Sequence, residues 1–186
     1  MRKLLTVTAL ALLTASPALA ARWNVDAANS SLTFTGSQSG EAFSGGFKTF
    51  TPVIDFDPAH PETGKIDVTV AMASATIDGK DRMDALPSSD WFATSAFPTA
   101  QFTSSHITAV KTKPGAFEAA GTLTIRGISK PATLTFILTP QGKATRAEGD
   151  LTLNRRDFSV GEGRWADDKW IAFPVAVHTV ITATPQ

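Results

Sequence analysis

Apolar and polar side chains alternate along most of this chain with a period of two. Between Gly121 and Pro140, Leu123 and Ile125 stand against Thr122 and Thr124, and Leu134, Phe136 and Leu138 stand against Thr133, Thr135 and Thr139. Successive side chains of a strand point to opposite faces, so this stretch predicts two strands, each with one oily face and one threonine-coated face. The same template recurs at Leu32 and Phe34, at Ile66, Val68, Val70 and Met72, at Leu151 and Leu153, and at Val175, Val177 and Ile181. Less regular runs lie at 47–56, 99–110 and 116–125. The pattern predicts about eight or nine strands, according to how 47–56 divides.

The links carry turn chemistry. Lys113-Pro114-Gly115 suits a type II turn, Pro140-Gln141-Gly142 a type I turn, and Arg126 to Pro131 a short polar reversal, so consecutive strands run antiparallel. Two stretches break the period. From Asp78 to Phe97 the sequence predicts a helical excursion, with Asp78 and Ser88 as caps for short helices around 82–86 and 89–92. Ser159 to Trp170 reads as a long glycine-containing loop.

Meandering antiparallel strands with one apolar face must bury that face, and closure into a barrel also removes exposed edges. An interior of eight strands is just wide enough to be filled by side chains or to hold one small ligand. The alternation therefore turns the oily faces inward and leaves two outcomes, a packed core or a lined cavity.

The chain's beginning changes the setting. Arg2 and Lys3, an apolar run from Leu4 to Leu13 and small residues ending at Ala20 have the order of a secretory signal peptide, predicting cleavage after about Ala20 and export to the periplasm. The domain is then 21–186, about 166 residues, enough for one core. Loss of Arg2 and Lys3 leaves 15 basic against 17 acidic residues, which gives no electrostatic attraction for nucleic acid. With no cysteine there is no disulfide framework and no thiolate nucleophile. Twelve Phe and four Trp accompany no Tyr, which fits a very apolar interior and equally well a drift in composition.

Catalytic patterns are sparse. Gly36 to Gly40 reads GSQSG, without the central serine of a nucleophile elbow, and no H-E-x-x-H, P-loop or G-x-G-x-x-G is present. His60, His106 and His178 are scattered singles. Asp55 and Asp57 with Glu62 have calcium-compatible chemistry, but a solvated strand end is the better reading. Asn29-Ser30-Ser31 fits a short glycosylation sequon. Asp90 with Arg155 or Arg156 predicts a charge-assisted pair that pins the helical excursion to the barrel. Arg126, Lys130 and Arg164 are loop cations available to a phosphate or quinone head, a role less common for such residues than simple solvation.

Five stretches in order, WNVDAANSSLTF (23–34), FSGGFKTFTPVIDFDP (43–58), SSDWFATSAFPTAQFTS (88–104), GTLTIRGISKPATL (121–134) and LNRRDFSVG (153–161), together resemble the YceI-like family of periplasmic polyisoprenoid-binding proteins. Asn29 stands where such proteins often place histidine, and Ser159 where glycine is common. The resemblance implies a lipocalin-like, eight-stranded antiparallel barrel whose apolar pore takes an isoprenoid-type lipid, a polyprenyl chain or an isoprenoid quinone. With no catalytic or cofactor motif in the chain, non-catalytic carriage or storage is the reading, against a packed barrel that docks a membrane cytochrome and, less favoured, an enzyme of lipid or quinone metabolism. It also implies a membrane b561-type cytochrome as a candidate partner. The inward phase assigns tail contacts to Phe34, Val68, Val70, Met72, Phe102, Leu123, Ile125, Leu134, Phe136, Leu151, Leu153 and Val175. Phe92, Phe97, Trp91 and Trp165, in the irregular segments, are placed to cover the pore mouth, with Trp91 more readily read as core.

Overall fold

A computed structural model describes residues 21–186, so the signal peptide expectation lies outside the described residues. The strands are β1 (Trp23–Gln38), β2 (Glu41–Phe47), β3 (Phe50–Asp55), β4 (Lys65–Ala71), β5 (Ala75–Ile77), β6 (Thr99–Ala109), β7 (Ala116–Ile125), β8 (Ile128–Gln141), β9 (Ala144–Asn154) and β10 (Pro174–Pro185). One short helix, α1 (Lys80–Ala85), lies between β5 and β6. Every strand pair is antiparallel, in the order β3-β4-β6-β7-β8-β9-β10-β1-β2-β5. The sheet curls until its first strand meets its eighth: Arg22 bridges Asp55, and the Phe56 N–H donates to the Ala21 carbonyl over 3.0 Å.

The sheet has ten strands rather than the expected eight, and the surplus has a local cause. β2 pairs with the second half of β1, from Leu32 opposite Phe47 to Gln38 opposite Glu41, while the end of β3 meets Arg22. The two strands thus follow each other along one edge of β1, broken at Lys48 and Thr49. β4 and β5 follow each other in the same way, broken by the 3₁₀ turn Met72–Ser74. The breaks bond to each other. Lys48 N–H donates to the Ser74 carbonyl over 3.1 Å, and Thr49 N–H to Ser74 Oγ over 3.0 Å.

The hairpins differ in accuracy of expectation. The Ala116 N–H reaches the Lys113 carbonyl over 3.0 Å with Gly115 at φ +78°, as the type II expectation requires. Arg126 and Gly127, both at positive φ, form the whole two-residue turn between β7 and β8, a type I′ geometry that matches strand twist, so Lys130 and Pro131 belong to a strand. The β8–β9 turn falls on Gly142 and Lys143 instead of Pro140, because Gly142 accepts φ +64° at the first central position.

The excursion is less helical than expected. α1 starts after Gly79 at φ +90°, with no side-chain cap, and covers 80–85 rather than 82–86. Residues 89–92 form turns: the Trp91 and Ala93 N–H groups both donate to the Ser88 carbonyl, and Ala93 at φ +46° reverses the chain before a helix can propagate. Among the described residues no helix is long and apolar enough to cross a membrane.

Candidate functional site

The inward faces converge on a cavity of about 250 Å³. Its walls are almost wholly apolar, with Gln101, Thr145, Thr179 and Arg155 as the polar members of the lining. Of the residues assigned to it from the alternation, Phe34, Val68, Val70, Met72, Phe102, Leu123, Ile125, Leu134, Phe136, Leu151, Leu153 and Val175 all lie on the lining. From the irregular segments, Phe92 and Trp91 join them. Phe97 and Trp165 do not. The Phe97 ring covers the β7–β8 turn, 3.1 Å from where a Cβ on Gly127 would lie, and Trp165 packs outside Trp91 with ring centroids 6.0 Å apart.

The two ends of the cavity are built differently. At one end Phe117 meets Phe56 edge-on at 5.1 Å and stacks on Phe136 at 5.5 Å, while the Trp23 indole N–H donates to the Phe56 carbonyl over 2.8 Å. Ile107, fully buried, and Phe56 press against Gly64, where any Cβ would meet the Phe56 ring at 2.6 Å. Side chains of β6, β7 and β8 close this end together with Phe56, just past the end of β3. Toward the other end, Phe34, Phe47 and Phe92 form a ladder at 5.5 and 6.1 Å beside buried Met72. Gly45 makes room for it, since a Cβ there would lie 2.3 Å from the Phe34 ring.

The walls differ as well. Val70, Phe102 and Leu123 on β4, β6 and β7, with Met72 in the turn after β4, are buried by one another and their neighbours, while Val68 and Ile125 beside them are half-buried. Leu134, Leu151, Leu153, Val175 and Val177 on β8, β9 and β10 point the same way but remain half-buried. Inward apolar side chains that keep accessible surface are the mark of a lined cavity rather than a filled one, because a packed interior leaves few voids wider than a water molecule.

The irregular segments cover the end opposite the Phe56–Phe117–Phe136 cluster. The expected ion pair between Asp90 and Arg155 or Arg156 is absent among the described residues, and the Asp90 carbonyl oxygen holds the segments together instead, accepting from Gly161 N–H at 2.7 Å and Glu162 N–H at 2.8 Å. Arg155, 2% exposed, donates to the carbonyls of Val160, Gly161, Trp165, Asp167, Ile171 and Ala172 over 2.7 to 3.1 Å. It is the hub of the 155–173 loop, with its guanidinium 5.3 Å from the Phe173 ring centroid. Burial first, and then the neighbouring Arg156 charge, pull its pKa below the ordinary guanidinium value. On the excursion, Arg82 Nε–H donates to Gln38 Oε1 over 2.8 Å and lies over the Phe43 ring.

Several lining residues were not among those assigned to the cavity from the sequence. Leu32, Ile66, Leu138, Val177 and Ile181 share the phase of their assigned neighbours and could have been taken by strict alternation. Trp23, Phe43, Phe50, Phe56, Phe158 and Arg155 line the cavity from kinks, strand ends and loops, where the period is lost. The other candidate chemistry stays outside the cavity lining. His178 faces Asp150 at 2.8 Å, His60 lies 3.7 Å from Glu62, and the Asp57 carboxylate accepts from the Ala59 N–H. No three His, Cys, Asp or Glu side chains gather as a metal set among the described residues.

Comparison with known proteins agrees with this architecture. A UPF0312 protein of Photorhabdus laumondii is 36% identical over 146 residues, covering 76% of this chain and 74% of that protein. The crystal structure of Burkholderia cenocepacia BcnA superposes with a TM-score of 0.82 at 30% identity, over 87% of this chain and 100% of that one. A polyisoprenoid binding domain from Saccharophagus degradans shares the fold at 16% identity, with a TM-score of 0.68 over 90% of this chain and 99% of that one. The YceI-like domain profile matches residues 23–183, nearly the whole described chain, and the protein belongs to the YceI-like family.

Proposed function

We propose that the protein is a non-catalytic carrier or store for an isoprenoid-type lipid, a polyprenyl chain or isoprenoid quinone, held in a lipocalin-like pore after export to the periplasm. The observation that carries this reading is the half-buried wall of Leu134, Leu151, Leu153, Val175 and Val177, apolar and unfilled, inside a cavity with hardly a polar group. An apolar chain gains about 0.8 kcal/mol per buried CH₂, so a tail of roughly 20 carbons offers on the order of 16 kcal/mol before the costs of ordering. Grease alone is enough to hold it. The polyisoprenoid-binding function in the name of the Saccharophagus degradans neighbour, together with family membership, supports the isoprenoid class. A quinone cargo would also give meaning to the b561-type cytochrome partner that the resemblance implies.

Catalysis in the pore finds little support in its lining. Arg155 is the ionisable residue there among the described residues, and its donors already serve backbone carbonyls. A direct test is titration with geranylgeraniol while following the emission of Trp23 and Trp91, both on the lining. Saturable quenching near one ligand per protein is expected. Emission that is unchanged, or that changes only when micelles form, contradicts the reading.

A further inference from the structure

β8 and β9 part company halfway along. Their ladder runs from Gln141 opposite Ala144 to Thr135 opposite Asp150 and then stops, although β8 continues back to Ile128 and β9 on to Asn154. In the same register Thr133 would face Thr152 and Pro131 would face Asn154, but no such pairing forms among the described residues. Pro131 has no N–H to give, which weakens the ladder at this point. Each strand keeps its outer neighbour, β7 for β8 and β10 for β9. The gap is framed below by the Thr135–Asp150 pair. Above, the Arg126 guanidinium donates to the Ser159 carbonyl.

A cleft lies in this gap, and Leu123, Leu151, Leu153 and Phe158 line both the cleft and the main cavity. The rest of its lining mixes small apolar residues, among them Ala120, Pro131 and Ala132, with polar ones that include Lys130, Asn154 and Asp157. Lys130 is the odd residue of its strand. It pairs with Leu123 and therefore stands on the cavity side of β8, in the phase of Ala132, Leu134 and Phe136, yet its side chain is exposed and no carboxylate among the described residues lies within 4.0 Å of it. A cation on the apolar phase of a strand, at the place where that strand separates from its neighbour, joins the greasy interior to water.

We infer that the β8–β9 gap is a lateral window where the oxygen-bearing head of the cargo rests, a phosphate or a quinone carbonyl, with the Lys130 ammonium donating to it while the tail lies in the cavity. The inference depends on the lipid-binding reading above and adds the site and chemistry of the head. Both ends of the cavity are covered by the chain, one by the Phe56–Phe117–Phe136 cluster and the other by the loops around Asp90 and Arg155, so the wall is where a polar head finds solvent.

Three ligands with comparable 20-carbon branched tails separate the contributions: geranylgeranyl phosphate, menaquinone-4 and the headless hydrocarbon phytane, each titrated against wild type, Lys130→Glu and, as a control on the distant β8–β9 turn, Lys143→Glu. Lys130→Glu is expected to weaken geranylgeranyl phosphate, menaquinone-4 or both by about tenfold, as fits loss of one charge-assisted hydrogen bond, with phytane unchanged. Which of the two is weakened identifies the head. Lys143→Glu should change none of them. Equal affinities of wild type and Lys130→Glu for both headed ligands overturn the window. Failure of all three ligands to bind the wild type instead overturns the lipid-binding reading, and with it the cargo that the window serves.

Discussion

The two ends of the cavity are closed by opposite means. At the Phe56 end, side chains of β7 and β8 interlock with Phe56 just past β3, and three aromatic rings within 5.7 Å of one another replace any lid. At the far end, two irregular segments are held by backbone carbonyls, those of the 155–173 loop converging on one guanidinium and that of Asp90 accepting two N–H groups from the neighbouring segment. Apolar packing is non-directional and survives modest shifts, whereas a hub of hydrogen bonds holds one geometry and fails as a unit. The first end is a floor and the second a cover.

This contrast is best broken at its hub. Arg155→Ala leaves six carbonyls without their donor and is expected to lower unfolding free energy by about 4 kcal/mol in urea denaturation. Arg155→Lys should recover less than half of that, because a compact ammonium cannot span the carbonyls that a planar fork reaches. Phe117→Ala at the floor should cost about 3 kcal/mol. Phe117 lies behind the lining rather than on it, so the same variant should deepen the cavity and accept a longer chain, which a series of prenols of increasing length would reveal. The smallest effect belongs to Trp165→Ala. Removing its contact with Trp91 should cost about 1 kcal/mol and speed ligand release, measured by stopped-flow dilution, with the floor unaffected.

The walls, and Phe136 of the floor, were legible in the sequence because strands have a period of two and a barrel has one inside, whereas Phe56, just past the end of β3, and Phe117, in a less regular run, were not. Phe34, Val70 and Phe136 fall on the lining for that reason alone. The cover was not. Arg155 recognises main-chain oxygens, which every residue carries, so nothing in the sequence singled out its partners, and the carboxylate of Asp90 was a natural but mistaken choice. Phe97 and Trp165 were expected to cover the pore mouth from aromatic character in segments without a period; both lie off the lining, Phe97 against the β7–β8 turn and Trp165 against Trp91. The split of eight strand paths into ten depends on bonds between Lys48, Thr49 and Ser74, some 25 residues apart in sequence. Lys130 could be read as a solvated loop cation until its register placed it on the inner phase of β8.

The central claim is that an apolar chain occupies the space beside the half-buried wall. Its most direct test is organic extraction and mass spectrometry of protein purified without detergent from its own host, beside the pore variant Phe136→Asp with its folding checked by circular dichroism. One polyprenyl or quinone molecule per wild-type protein, missing from the folded variant, is the predicted result. Wild-type protein that carries no lipid, and takes up none when offered, would contradict it.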